Sequence, residues 1–162
     1  MSELINACKT GIDGDGQFGS GSSGMAVQID VIYEGDLHCT ATHQPSRQTI
    51  GTDAPVDNGG KGAAFSPTDL VATALGTCMA TIMGKVAERN GIYISGVKIR
   101  VIKEMVADPV RRIGALRTRI EFPPGKNLSH MDRLRLEAGA NSCPVKESLH
   151  PQVETTVEFV YT

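Results

Sequence analysis

The sequence predicts an α+β fold in the order βββ-α-ββ-αα-β. Three observations carry that prediction. Apolar and polar residues alternate through "AVQIDVIYEGDLHCTATH", the period of a half-buried strand. A capped, almost uninterrupted apolar run follows from Ser66 to Asn90. Alternation then returns in "GVKIRVIKEMVAD" and "RIGALRTRIEF". A chain of 162 residues is one domain by length, with enough surface to bury a true core.

Residues 1–24 stand apart. "GIDGDGQFGSGSSG" offers little to bury and reads as a flexible Gly/Ser-rich extension. It contains Cys8, to which no role is given. Residues 25–162 form the folded unit. Glu34-Gly35-Asp36 breaks the first alternating block and marks a hairpin. Cys39 lies in the second strand and reads as a small residue on a sheet. "RQTIGTDAP" supplies a short third strand, and "VDNGGKGAAF" a Gly-rich connector whose glycines lack the order of a phosphate-binding fingerprint.

The long helix starts with Ser66 as N-cap, Pro67 at its first position and Asp69 as the acid of a capping box. Asn90-Gly91 ends it. At 1.5 Å per residue it is ~35 Å long. Its first two-thirds are apolar on every side, so it needs cover on every side. One small sheet cannot supply that, and a second copy of the chain would. The two strands that follow carry Lys98, Arg100, Lys103, Arg117 and Arg119, all expected on the solvated face. A second capped helix is expected in "SHMDRLRLEAGAN", with Ser129 and Asp132 as its box. A further turn in "CPVKESL" and a closing strand in "VETTVEFVYT" complete the order.

Composition removes several function classes. The net charge of -2 and the absence of tryptophan give neither a basic surface nor stacking platforms for nucleic acid. "MSELINACKTG" lacks the basic and apolar regions of a signal peptide. No apolar run is expected to reach membrane-span length, because "ALGTCMATIMG" gives way to Lys85. A cytoplasmic location follows, where a cysteine pair is catalytic, redox-active or metal-binding more often than a permanent bridge.

Two cysteines are the candidates for chemistry. Cys143 precedes Pro144 in "NSCPVKESLHP" and would cap a short helix, where backbone amides and the helix dipole lower a thiol pKa. Lys146 is close enough to help. The plainer reading is a small residue capping a buried helix. Cys78 lies about three turns into the apolar helix. An inert buried thiol is the simple expectation, since burial disfavours the thiolate. Asp69 is nine residues back, about 900° round the helix and so on its opposite face. Any activating group comes from another segment or another subunit. Cys78, Cys143, His43 and His150 lack the close spacing of a zinc site. A Cys-His hydrolase with His43 or His150 as base has no identifiable oxyanion hole.

"SPTDLVATALGTCMATIM", followed some sixty residues later by "CPVKESL", resembles the OsmC/Ohr superfamily of osmotically inducible and organic-hydroperoxide-resistance proteins. The resemblance runs from Ala26 to Thr162. It implies an intertwined homodimer with long helices inside and antiparallel sheets outside. It also implies a thiol peroxidase that reduces organic hydroperoxides, with Cys78 peroxidatic and Cys143 resolving. A dithiol or lipoylated protein would be the reductant, and neither metal nor organic cofactor would be needed.

The chain departs from that pattern at the activating charges. The family's glutamate, ten residues before the cysteine, is Thr68 here. No arginine lies between Ala26 and Ser46. Arg47 is the nearest, and Arg47, His43 and Thr68 are the candidate activating residues. The alternative function is a non-catalytic dimer of the same fold, redox-responsive or binding a small apolar ligand.

Overall fold

Strand alternation and two capped helices produce the expected element order in the structure, a computed structural model that describes residues 26–125 and 127–162. The Gly/Ser-rich extension and Cys8 lie outside the described residues. Strands β1 (Ile29–Gly35), β2 (His38–His43) and β3 (Thr49–Asp53) form one antiparallel sheet in that order. The β1–β2 loop places Asp36 and Leu37 at φ 50° and 61°, the left-handed pair of a tight hairpin turn.

The long helix α1 (Pro67–Arg89) has the predicted start. The Asp69 amide donates to the Ser66 hydroxyl, and the Asp69 carboxylate accepts from the Ser66 amide. β4 (Lys98–Val106), β5 (Arg112–Phe122) and β6 (Glu154–Tyr161) form the second sheet. β4 and β5 pair antiparallel, whereas β6 runs parallel to β5. A parallel neighbour needs a crossover. Here it is made by α2 (His130–Asn141) and the single turn α3 (Pro144–Glu147).

The core is built by α1, α2 and the second sheet. Leu75, Met79 and Met83 of α1, Leu116 and Ile120 of β5, Leu136 of α2 and Cys143 are fully buried together. α2 sits so close to α1 that a Cβ on Gly139 would fall 2.9 Å from Val86. On the outer face of the sheet, Arg117 bridges Glu104 and Glu154, and Arg119 bridges Glu121 and Glu158.

The first sheet contributes nothing to this core. Ile29, Val31 and Tyr33 on one of its faces and Ile32 on the other are all 60% exposed or more. α1 is likewise covered on one flank only, with Thr73, Thr77, Ala80, Thr81 and Lys85 exposed. The threonine hydroxyls of Thr73, Thr77 and Thr81 donate to carbonyls one turn back, at 2.9, 2.8 and 2.9 Å. They are thus engaged within the helix rather than with solvent.

Two sequence expectations need correcting. α1 is, by length and composition alone, apolar enough to cross a membrane, at a mean hydropathy of 1.5. Lys85 falls near its end and does not interrupt the run. The second correction concerns Lys103, which lies on the inner face of β4. Ile99, Val101, Lys103 and Met105 share that face, and Lys98, Arg100, Ile102 and Glu104 the outer one. A period of two fixes this, and Lys103 has the opposite parity to Lys98 and Arg100.

Candidate active site

Cys78 and Cys143 are brought together from sixty-five residues apart in the chain. α1 carries Cys78 half-buried at the border between its packed and uncovered flanks, and α3 packs against that border. Cys143 is the N-cap residue of α3, with Pro144 at the first helical position. Both thiols are free. The thiol of Cys143 lies against that of Cys78 closely enough to shift its ionisation.

That ionisation differs from the expectation for a helix cap. Cys143 is fully buried, and burial pushes its pKa above the ordinary thiol value. The adjacent Cys78 thiol adds to the rise, while the amides of Lys146 and Val145 oppose it. No side-chain hydrogen bond caps α3, and a four-residue helix has little dipole to offer. Desolvation therefore wins. Lys146 does not help either, because its Nζ donates to Asn141 Oδ1 at 2.8 Å.

The candidate activating residues lie elsewhere. His43 Nδ1 is 2.6 Å from Ser46 Oγ, and Arg47 donates to Gln44, so both belong to the β2–β3 turn of the detached sheet. Within one chain neither joins the thiol pair. Thr68 sits in the first turn of α1, ten residues before Cys78 and about 15 Å from it along the helix. There Lys103 Nζ donates to Thr68 Oγ1 at 2.7 Å and pairs with Asp69 Oδ1 at 2.6 Å. The Lys103 hydrogen bond holds the Asp69 carboxyl below its ordinary value, aided by the Ser66 amide and hydroxyl. Sequence reading missed Lys103 as a site residue, although the strand parity carried the signal.

Lys103 and Asp69 mark one end of a cavity of about 860 Å³ between α1, β4 and the Gly-rich loop. Phe65, Ala72, Gly76, Ala80, Val97, Ile99 and Val101 line the rest, with Thr73 and Thr77 at the rim. Cys78 is not among the lining residues. It stands two residues from both Gly76 and Ala80, about 200° round the helix. The cavity and the thiol pair thus occupy opposite faces of α1. His150 accepts a hydrogen bond from the Gln152 amide at its Nδ1 and joins neither site. Among the described residues no group of three or more His, Cys, Asp or Glu is placed to hold a metal ion.

Known proteins place this arrangement. The family model for OsmC-like protein matches residues 59–158, which include α1, both thiols and all of the second sheet but the end of β6. The chain belongs to the OsmC-like protein family. A Psychrobacter arcticus protein assigned by name to the osmotic stress induced and detoxification response is 43% identical. It aligns over 85% of this chain and 98% of its own, with a TM-score of 0.77. The fold also matches an organic hydroperoxide resistance protein OsmC of Legionella pneumophila. That protein is 15% identical over 86% of this chain and 99% of its own, at a TM-score of 0.69. An OsmC like protein of Mycoplasma pneumoniae is 16% identical over 85% and 97%, at 0.70. None of the curated proteins matches the chain. These matches confirm the α+β OsmC-like fold, with its long helix and two small sheets.

Proposed function

We propose that this OsmC-like protein is a thiol-dependent hydroperoxide reductase working through Cys78 and Cys143. The observation that carries the reading is that the two thiols are neighbours where α3 packs on α1, Cys78 lying against the buried cluster that holds Cys143. The Cys78 thiolate attacks the terminal oxygen of an organic hydroperoxide, and the O–O bond breaks. The alkoxide leaves and takes a proton to become the alcohol, and Cys78 becomes a sulfenic acid. Cys143 then attacks that sulfur, a disulfide forms and water leaves. A small dithiol or a lipoylated protein restores both thiols by two exchange steps.

The buried state of Cys143 supports this division of labour. A thiol held protonated does not compete for peroxide. The more exposed Cys78 is the one that substrate reaches. The proposed setting is the cytoplasm, where a reductant keeps the pair reduced.

The working form we propose is a homodimer. The first sheet leaves apolar residues exposed on both faces, and α1 leaves a flank of small residues and threonines uncovered. A second copy would cover both, and would be the route by which His43 or Arg47 of the hairpin reaches a thiol pair. Light scattering on the eluted protein should give twice the chain mass at micromolar concentration. A monomer there would remove this part of the proposal. The catalytic part is tested by hydroperoxide consumption in the presence of a dithiol, which should be lost in Cys78→Ser.

One observation favours the second reading, a non-catalytic dimer that is redox-responsive or binds a small apolar ligand. Among the described residues no cation is paired with Cys78, and the nearest cation to the helix start, Lys103, is bound to Thr68 and Asp69. Turnover well above that of a free thiol would exclude it.

A further inference from the structure

The two sulfurs of the thiol pair differ in what can reach them. Cys143 is 0% exposed. It belongs to the same buried cluster as Leu75 and Met79 of α1, Leu116 of β5 and Leu136 and Ala140 of α2. Cys78 is half-buried and packs against that cluster. The walls around Cys143 all come from its own chain. A second copy can therefore narrow the access to Cys78, but it cannot open Cys143. Exchange with a disulfide needs a thiolate to approach one of its sulfurs, and access decides which one. For Cys143 every approach passes through packed side chains. Of the pair, Cys78 alone keeps surface for it.

We propose that the dithiol reductant attacks the sulfur of Cys78 and that Cys143 is the sulfur released. The inference rests on the disulfide cycle proposed above and adds its direction. The thiolate of the reductant forms a bond to Cys78 Sγ, and the Cys78–Cys143 bond breaks. Its electron pair leaves with Cys143, which takes up a proton. The second thiol of the reductant then attacks the reductant's own sulfur in the mixed disulfide. Cys78 is released as a thiolate, and the reductant leaves as a disulfide closed on itself. Two electrons pass from the dithiol to the pair, and both thiols are restored. Leaving-group strength argues the other way. Burial raises the pKa of Cys143, and a thiol of higher pKa leaves more slowly. Access outweighs this, because a poorer leaving group only slows the exchange, whereas a closed sulfur is not attacked at all.

The full chain is oxidised with diamide, which needs no peroxidase step. The disulfide is then exposed briefly to glutathione, quenched with acid and alkylated. Trypsin separates the two sites, since Lys61 and Lys85 bracket Cys78, and Arg135 and Lys146 bracket Cys143. The glutathione adduct should favour Cys78 over Cys143 on the order of tenfold or more. In urea the preference should shrink towards equality, because unfolding opens both sulfurs. In a second measurement, oxidised glutathione should load Cys78 in Cys143→Ser on the order of tenfold faster than Cys143 in Cys78→Ser. The proposal is overturned by an adduct shared equally or carried mainly by Cys143 in the folded chain, or by a preference that survives urea. Equal loading of the two variants, or failure of diamide to join the pair, overturns it as well. A chain that shows the predicted adduct but ignores hydroperoxide would remove the peroxidase reading and leave the direction of reduction standing.

Discussion

Lys103 donates to Thr68 at 2.7 Å, and so anchors the start of α1 to the inner face of β4. The same ammonium pairs with Asp69 at 2.6 Å. One lysine therefore occupies the two polar side chains of the helix's first turn. Removing it should loosen the helix start without touching the core. Lys103→Met should lower stability by about 1 kcal/mol, the upper end for a pair whose acid is 41% exposed to solvent. Urea unfolding at neutral pH checks this, and a loss several times larger would mean that the pair is more isolated from water than its exposure shows.

The pair also sets a pH dependence. The carboxyl of Asp69 is held below its ordinary value in the folded chain, chiefly by the Lys103 hydrogen bond. The unfolded chain therefore binds this proton more readily, near the usual value of about 3.9. The stabilisation is complete above that value and is lost as pH falls through the lower folded one. Asp69→Asn should flatten this acid limb while lowering stability at neutral pH. A parallel acid limb in the variant would assign the effect to other carboxylates.

Cys143 should titrate above the ordinary thiol range, since burial is the largest cause of its rise. Cys78→Ser should bring it partly down, because the Cys78 thiol contributes to the same rise. The shift of the labelled β-carbon of Cys143 against pH reads both. A value at or below the ordinary thiol pKa would mean that the amides of α3 outweigh desolvation.

Gly60 has no room for a side chain. A Cβ there would lie 1.9 Å from the Ala54 carbonyl oxygen, backbone that cannot swing aside. Gly60→Ala should cost about 1–3 kcal/mol as an overpacked site does. The cost should appear first in the loop, as faster hydrogen exchange of the Ala63 amide that now donates to Asp53 Oδ2 at 2.9 Å. Unchanged exchange there would place the strain elsewhere.

Side chains against the two faces of the second sheet should respond differently. Met79, fully buried beneath it, should cost about 2–5 kcal/mol when cut to alanine. Arg117, exposed between Glu104 and Glu154, should cost no more than about 1 kcal/mol. Thermal unfolding of both variants gives the contrast, and a similar loss from each would contradict the assignment of the core.

Local signals in the sequence were enough for the elements and their caps. Ser66 and Asp69 announce α1, Ser129 and Asp132 announce α2, and the alternation of 29–43 and 98–122 announces the strands. The pairing of distant elements was not legible in this way. Nothing local says that β6 returns parallel to β5, or that the first sheet stands clear of the core. Lys103 sits among exposed cations in the sequence and so reads as outward, although its parity with Ile99 and Val101 turns it inward. The thiol pair was visible as two motifs, but the ionisation of Cys143 was not. A helix cap and a buried side chain pull in opposite directions, and only the packed structure shows burial ahead.

The contact of Cys78 with Cys143 is tested most directly by counting thiols. The protein is treated with one equivalent of cumene hydroperoxide and analysed by mass spectrometry, beside Cys78→Ser and Cys143→Ser. Two thiols should be lost rapidly to a Cys78–Cys143 disulfide in the native chain, with a sulfenic acid at Cys78 in Cys143→Ser and no reaction in Cys78→Ser. Native protein that keeps both thiols reduced would contradict it.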